Sequence, residues 1–185
     1  MESQFVQAIL GNQHLALTAR ILLAALLLGA GMSKIVKVRD FEEVVRGYEL
    51  LPQLLVAAFA RVLPVAELLA GISLLIDPLA QYGALAGLGL FATFGAAVAI
   101  NLVRGRRSIA CGCFGKHGQQ LSWVIVTRNG ILGAVAGLVW AGPPTGTLRE
   151  TTSSTTWITS ALMVVALTGS FRLIRLVTEM WSLKG

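Results

Sequence analysis

The chain reads as an all-α integral membrane protein. The expected form is a four-helix transmembrane bundle, with a short interfacial helix after the first span and one additional C-terminal transmembrane helix. Three observations predict this. Hydrophobic residues make up 55% of the 185 residues and charged ones only 13%, with a mean hydropathy of +0.74, whereas soluble domains carry about 25% charged residues. Too little polar surface is left to cover a soluble globule. The apolar residues also come in unbroken runs of about the 20 residues that the hydrocarbon core demands. Finally, these runs do not alternate polar with apolar, which excludes a transmembrane barrel. Helices then remain as the structure that satisfies its own backbone in lipid.

Leu15 to Val36 is the first span, with Arg20 near one end and Lys34 near the other. Long basic side chains near helix ends can snorkel to the headgroups, so neither breaks the span. Gly29 and Gly31 open the helix to close contact. No basic stretch precedes this run and no small-residue cleavage site follows it, so it is expected to be a retained helix and not a cleaved signal. Lys37 to Leu51 mixes both charge signs with Phe41, Val44, Val45 and Tyr48 at helical spacing. This is the pattern of a short amphipathic helix lying in the interface.

The second span runs from Pro52 to about Ile76, contains Arg61, Pro64 and Glu67, and stops at Asp77-Pro78. The third, Leu79 to Val103, has no charge and many small residues, among them Gly83, Ala84, Gly87 and Gly89. A polar, Gly-rich loop from Arg104 to Gln120 precedes the fourth span, Leu121 to Ala141, which carries Arg128 and Asn129. Gly142-Pro143-Pro144 ends it. The expected organisation is a membrane domain over 1–141, a Thr/Ser-rich linker over 142–156, and an added helix and tail over 157–185.

The net charge of +6 does not indicate nucleic acid. The basic residues flank the apolar runs, as lipid headgroups and insertion topology select. The partner expected from composition is the lipid bilayer. With consecutive spans alternating direction, most of the basic residues fall on the side of the Arg104–Gln120 loop. Counting them places that loop in the cytoplasm.

The only two cysteines, Cys111 and Cys113, stand one residue apart in Cys111-Gly112-Cys113-Phe114-Gly115, within that loop. Thiols concentrated at a polar, glycine-flanked place between two spans point to thiol chemistry at a membrane surface. Cysteine is also common as a small buried hydrophobe, so ordinary packing is the plain alternative.

Six segments stand in order along the chain: Gly31-Met32-Ser33-Lys34; Phe41 through Tyr48-Glu49-Leu50-Leu51-Pro52; Leu63-Pro64-Val65-Ala66-Glu67 with Gly71; Asn101-Leu102-Val103-Arg104-Gly105; the Cys-Gly-Cys run; and Ser122-Trp123 with Arg128-Asn129. Together they resemble the MauE branch of the MauE/DoxX family. The resemblance covers roughly residues 15 to 141, in order. It implies a multispan protein of a bacterial cytoplasmic (inner) membrane, linked to methylamine utilisation, that assists disulfide formation in a partner protein, together with a thioredoxin-like protein. It also implies a four-helix core like that of DsbB and vitamin K epoxide reductase. By analogy with that core alone, a quinone is the implied electron acceptor, and the cysteine loop would lie outside the cytoplasm, where disulfides persist. That placement, against the basic-residue count, is the one favoured here.

A disulfide between Cys111 and Cys113 would close a small ring, and departure from relaxed geometry makes such a bond easier to reduce. Nearby basic residues, Arg104 and Arg128 among them, favour thiolate over thiol, and His117 is a candidate proton shuttle. Glu67 and Arg61, charges within a span, are candidates for proton transfer or redox tuning. Six positions apart, they point about 120° from each other on an ideal helix, so Lys34 or Arg20 is the alternative partner for Glu67. Two other readings compete with thiol redox. Cys111, Cys113 and His117 would suit a soft metal such as Cu(I), Hg(II) or Zn(II). The bundle would also serve as a non-enzymatic membrane anchor for assembling a partner complex.

Overall fold

A computed structural model describes the backbone of residues 13–106, 109–112 and 115–142, with side chains over 15–106, 109 and 120–142. The expected linker and fifth span lie outside the described residues. Among the described residues, five α-helices and one hairpin follow in order: α1 Gln13–Val36, α2 Val38–Tyr48, α3 Gln53–Leu75, α4 Ala80–Val103, β1 Ala110–Gly112, β2 Gly115–Gln120 and α5 Trp123–Ala141. A 3-10 turn, Asp77–Leu79, joins α3 to α4. Among the described residues, four helical segments are long and apolar enough to cross a membrane: Leu15–Val36, Gln53–Leu75, Asp77–Val103 and Trp123–Ala141. They match the expected spans to within two residues at each end.

The chain runs up α1, folds over in α2, returns through α3, rises in α4, and descends through α5. One end of the bundle therefore holds α2 and the hairpin, and the other holds the α3–α4 turn. α1 packs along α3 and α4 along α5, and the two pairs join where α3 meets α4. Small residues set the closeness of these contacts. A methyl group on Gly71 would meet Leu28 Cγ at 2.8 Å, and one on Gly83 would meet the backbone nitrogen of Leu74 at 2.7 Å. Gly31 fills the same role against Leu68 and Pro64, whereas Gly29 and Gly89 face open space.

The core is layered along the bundle axis. Leu23, Ala24, Leu27, Ala70, Leu74, Ala84, Phe91 and Ala136 fill the bundle from its middle to the α3–α4 turn. Towards the hairpin end lie one cluster of Val44, Tyr48, Val98, Leu102, Leu121 and Ile125 and another of Phe41, Val45, Val56, Ala60 and Leu63. Large apolar side chains such as Leu54, Val62, Leu69, Tyr82 and Val124 point outward, as a lipid-facing surface requires.

Helix α2 differs from the expected interfacial helix in where its apolar face goes. Phe41, Val44, Val45 and Tyr48 are buried against α3, α4 and α5, so the stripe that reads as membrane-facing packs on protein instead. The reason is stagger: Gly31 of α1 lies against Pro64 and Leu68 of α3, and Gly71 of α3 against Leu28 of α1. α3 continues well past the end of α1, and α2 folds back to cover the exposed step. α2 ends at Glu49 in a left-handed conformation, φ 50°, with its N–H donating to the Arg46 carbonyl at 3.2 Å.

The cysteine segment reads as a loop but forms a two-stranded antiparallel hairpin, with Ala110 opposite Gln120 and Gly112 opposite Gly115. Its short Gly-rich strands have little β propensity; the helix ends hold it together. α4 closes with Gly105 at φ +76°, Gly105 N–H donating to Leu102 O and Arg106 N–H to Asn101 O. This is a Schellman ending that turns the chain sharply off the helix. Leu121, 3% exposed, anchors the other side, and its N–H donates to Ile109 O at 3.2 Å.

Candidate functional site

Cys111 lies on β1, at the hairpin end of the bundle. Cys113 lies outside the described residues. His117 is on β2, in the stretch of backbone that runs opposite Cys111 between the two registered pairs. The side chains of Cys111 and His117 are likewise outside the described ones. Arg104, the residue after α4, is exposed, and Arg128, in the second turn of α5, is half-buried with its Nε withdrawn from solvent. The hairpin is thus flanked by the basic ends of two helices.

Helix α2 carries the hairpin. It packs against both strands, and Ile109, at the foot of β1, joins the Val44–Tyr48 cluster. At the far end of α2, Glu49 pairs with Arg106 at 2.5 Å. That guanidinium, through its hydrogen bond first and its charge second, holds the Glu49 carboxyl below the usual carboxylate range. The same pair pushes Arg106 further up.

Beneath α2 is a second constellation. Lys34 and Glu67 are 1% and 2% exposed and form an ion pair within the bundle. The Lys34 ammonium also lies over two aromatic faces, 5.2 Å from the Phe41 ring centroid and 4.3 Å from that of Phe94. Both contacts fall within the range of cation–π attraction. Four helices meet at this one ammonium: α1 supplies it, α3 its carboxylate, and α2 and α4 the rings. Arg61, two turns nearer the hairpin end of α3, is exposed and does not meet Glu67. A third charge pair closes the opposite end. Arg20, 1% exposed, donates to the Leu74 carbonyl at 3.0 Å and to Asp77 Oδ1 at 3.0 Å. It thereby caps the C-terminus of α3 with a cation, as the helix dipole favours.

Of the two basic residues in α1 that could snorkel, neither does, and Lys34 takes the alternative of pairing with Glu67. Arg20 and Lys34 turn inward because each finds a carboxylate there. Lys34 was legible only as an alternative partner of Glu67, and Phe94 gave no sequence signal, being one aromatic in an uncharged span. Asp77 read only as a helix stop. Asn101 and Asn129, each in an apolar helix, donate to the carbonyl four residues back, Ala97 at 3.0 Å and Ile125 at 2.8 Å. In these bonds neither amide reaches across to a neighbouring helix. Among the described residues no group of three His, Cys, Asp or Glu side chains comes together to hold a metal.

The family model for methylamine utilisation protein MauE matches residues 12–142, a segment that takes in all four apolar helices, α2 and the hairpin. The chain belongs to the MauE family. The MauE of Paracoccus denitrificans is 41% identical over 139 residues, 74% of this chain and 74% of that one. The MauE of Paracoccus versutus is 42% identical over 148 residues, 77% and 79% of the two chains. That of Methylorubrum extorquens is 39% identical over 141 residues, 75% of each. No solved structure matches. Membership ties the chain to methylamine utilisation and agrees with a multi-pass membrane protein. In MauE terms, the cysteine hairpin, the helix that carries it and the buried Lys34–Glu67 pair all fall within the matched segment.

Proposed function

We propose that this MauE protein is a membrane thiol–disulfide exchange protein, with Cys111 and Cys113 as its reactive pair. The observation that carries the reading is Cys111, the first cysteine of the Cys-Gly-Cys sequence, on a hairpin strand held at one end of an otherwise apolar bundle, beside two basic helix ends. The exchange balances simply. A thiolate of the substrate protein attacks one sulfur of the Cys111–Cys113 disulfide, and a mixed disulfide forms. The substrate's second thiolate resolves it. The substrate leaves oxidised by two electrons, and Cys111 and Cys113 are left as thiols with two protons. The pair returns to the disulfide by passing two electrons and two protons to the disulfide of a thioredoxin-like partner.

A quinone would accept the same load. Lys34 and Glu67, buried and charged within the bundle, engage each other, and the exchange balances with the thioredoxin-like partner alone. Arg104 and Arg128 are assigned the stabilisation of the thiolates, and His117 the carriage of a proton. Thiol trapping in cells tests the reading. The pair should be found in both oxidation states, and Cys111→Ser or Cys113→Ser should abolish maturation of the substrate. A pair that stays reduced under all growth conditions would overturn it.

A further inference from the structure

We infer that the Lys34–Glu67 pair is a positioning site that sets, through α2, the seat of the cysteine hairpin. The inference deepens the exchange reading and takes its purpose from it. Its structural basis is a continuous run of contacts. Glu67 on α3 holds the Lys34 ammonium, and Lys34 holds the Phe41 ring at the start of α2. At the other end of α2, a methyl group on Gly47 would sit 3.7 Å from Ile109 Cγ2, ordinary van der Waals contact. Ile109 precedes Cys111 by two residues and closes the foot of the hairpin through its carbonyl.

The chemistry of the pair suits this role better than simple filling does. Lys34 lies two residues from the end of α1, within reach of the headgroups, yet it turns inward. Apolar side chains of like volume usually hold helices together at least as well as a buried ion pair. What an ammonium adds is direction: it must face a carboxylate, and here it also faces two ring planes. Phe41 cannot slide along Lys34 without losing that contact. The rotational setting of α2 is thereby fixed from below, and the hairpin rests on α2. Packed side chains and charge pairs with discrete arrangements are the means by which coupling crosses a protein.

The test uses the full chain in lipid nanodiscs, reduced, with alkylation of Cys111 by iodoacetamide followed by peptide mass spectrometry across a pH series. Glu67→Gln and Phe41→Leu are each expected to change the Cys111 alkylation rate about threefold to tenfold and to shift its pH midpoint. Glu67→Asp should restore both. Asp77→Asn, which loosens the other end of the same bundle, should leave both alone. Should Glu67→Gln fail to fold, Phe41→Leu, which keeps both charges, carries the same comparison. The inference is overturned if folded Glu67→Gln or Phe41→Leu alkylates as the wild type does at every pH, or if Asp77→Asn shifts the profile equally. Alkylation reads the thiols whether or not they exchange with a partner. A wild-type pair that never cycles in cells therefore sinks the exchange reading alone.

Discussion

An ammonium inside an apolar bundle persists only where its charge is answered, and Lys34 is answered three times, by Glu67 and by two phenyl rings. The asymmetry of such sites is large: removing one partner leaves a bare charge, whereas removing both leaves ordinary packing. Glu67→Gln should therefore lower stability by about 3–5 kcal/mol, read as thermal unfolding in detergent. The double variant Lys34→Met/Glu67→Leu should recover most of that loss. Equal losses in the single and double variants would show that the pair is not a coupled unit. Glu49 makes a different kind of contact, on the surface. Its carboxyl is held below the usual range by Arg106. A depressed folded-state value means that its contribution is present above the unfolded carboxylate range and lost as pH falls through the folded value. The Glu49–Arg106 clasp should thus persist at neutral and mildly acidic pH and open only below the ordinary carboxylate range, and Arg106→Gln should remove that acid-dependent part. Chemical-shift titration of Glu49 in wild type and variant would show it, and high salt should weaken it, as it does any exposed pair.

At the scale of elements, periodicity and run length gave the helices, because a span in lipid is constrained by the hydrocarbon thickness and not by its neighbours. What stayed illegible was whatever depended on tertiary contact. The stripe Phe41-Val44-Val45-Tyr48 looks the same whether it meets lipid or protein, so the sequence could place α2 but not its burial. The hairpin was hidden for the opposite reason, since Ala-Cys-Gly and its glycine-rich partner carry almost no strand signal of their own. Glycines make the distinction measurable. Gly83→Ala places a methyl 2.7 Å from Leu74 N and 2.9 Å from Ala70 O, both backbone atoms that cannot step aside. The α3–α4 contact must then open, at about 1–3 kcal/mol, the usual cost of overpacking. Gly89→Ala meets nothing within 4 Å and should hold or raise stability by up to about 1 kcal/mol through its better helix propensity. Parallel thermal unfolding of the two variants separates a packing glycine from an idle one, although the sequence presents them alike.

At the scale of the whole molecule, the candidate site was legible as a motif and not as an assembly. Two cysteines one residue apart announce themselves, whereas the four-helix junction at Lys34 needs α1 and α3 laid antiparallel before Lys34 and Glu67 are neighbours. The fold also bears on which way the molecule faces. Of the basic residues counted on the hairpin side, Lys34 is buried against Glu67 and is no longer a loop charge. Arg106 and Arg46 are paired with Glu49 and Glu42, yet acidic neighbours do little to weaken a topogenic arginine. The count therefore still favours a cytoplasmic hairpin, while exchange of protein disulfides needs a compartment where they survive. The proposed function requires the second to win. A membrane-impermeant maleimide applied to intact cells, after mild reduction, should label Cys111 and Cys113 without lysis. Cys111→Ser/Cys113→Ser should abolish the label, and cysteines placed at Asp77 and Gln81, at the other end of the bundle, should label only after the membrane is opened. The reverse pattern would put the thiols in a reducing compartment, where a strained Cys-Gly-Cys disulfide has no means of persisting, and the reading of this chain as a disulfide donor would fail even with the fold intact.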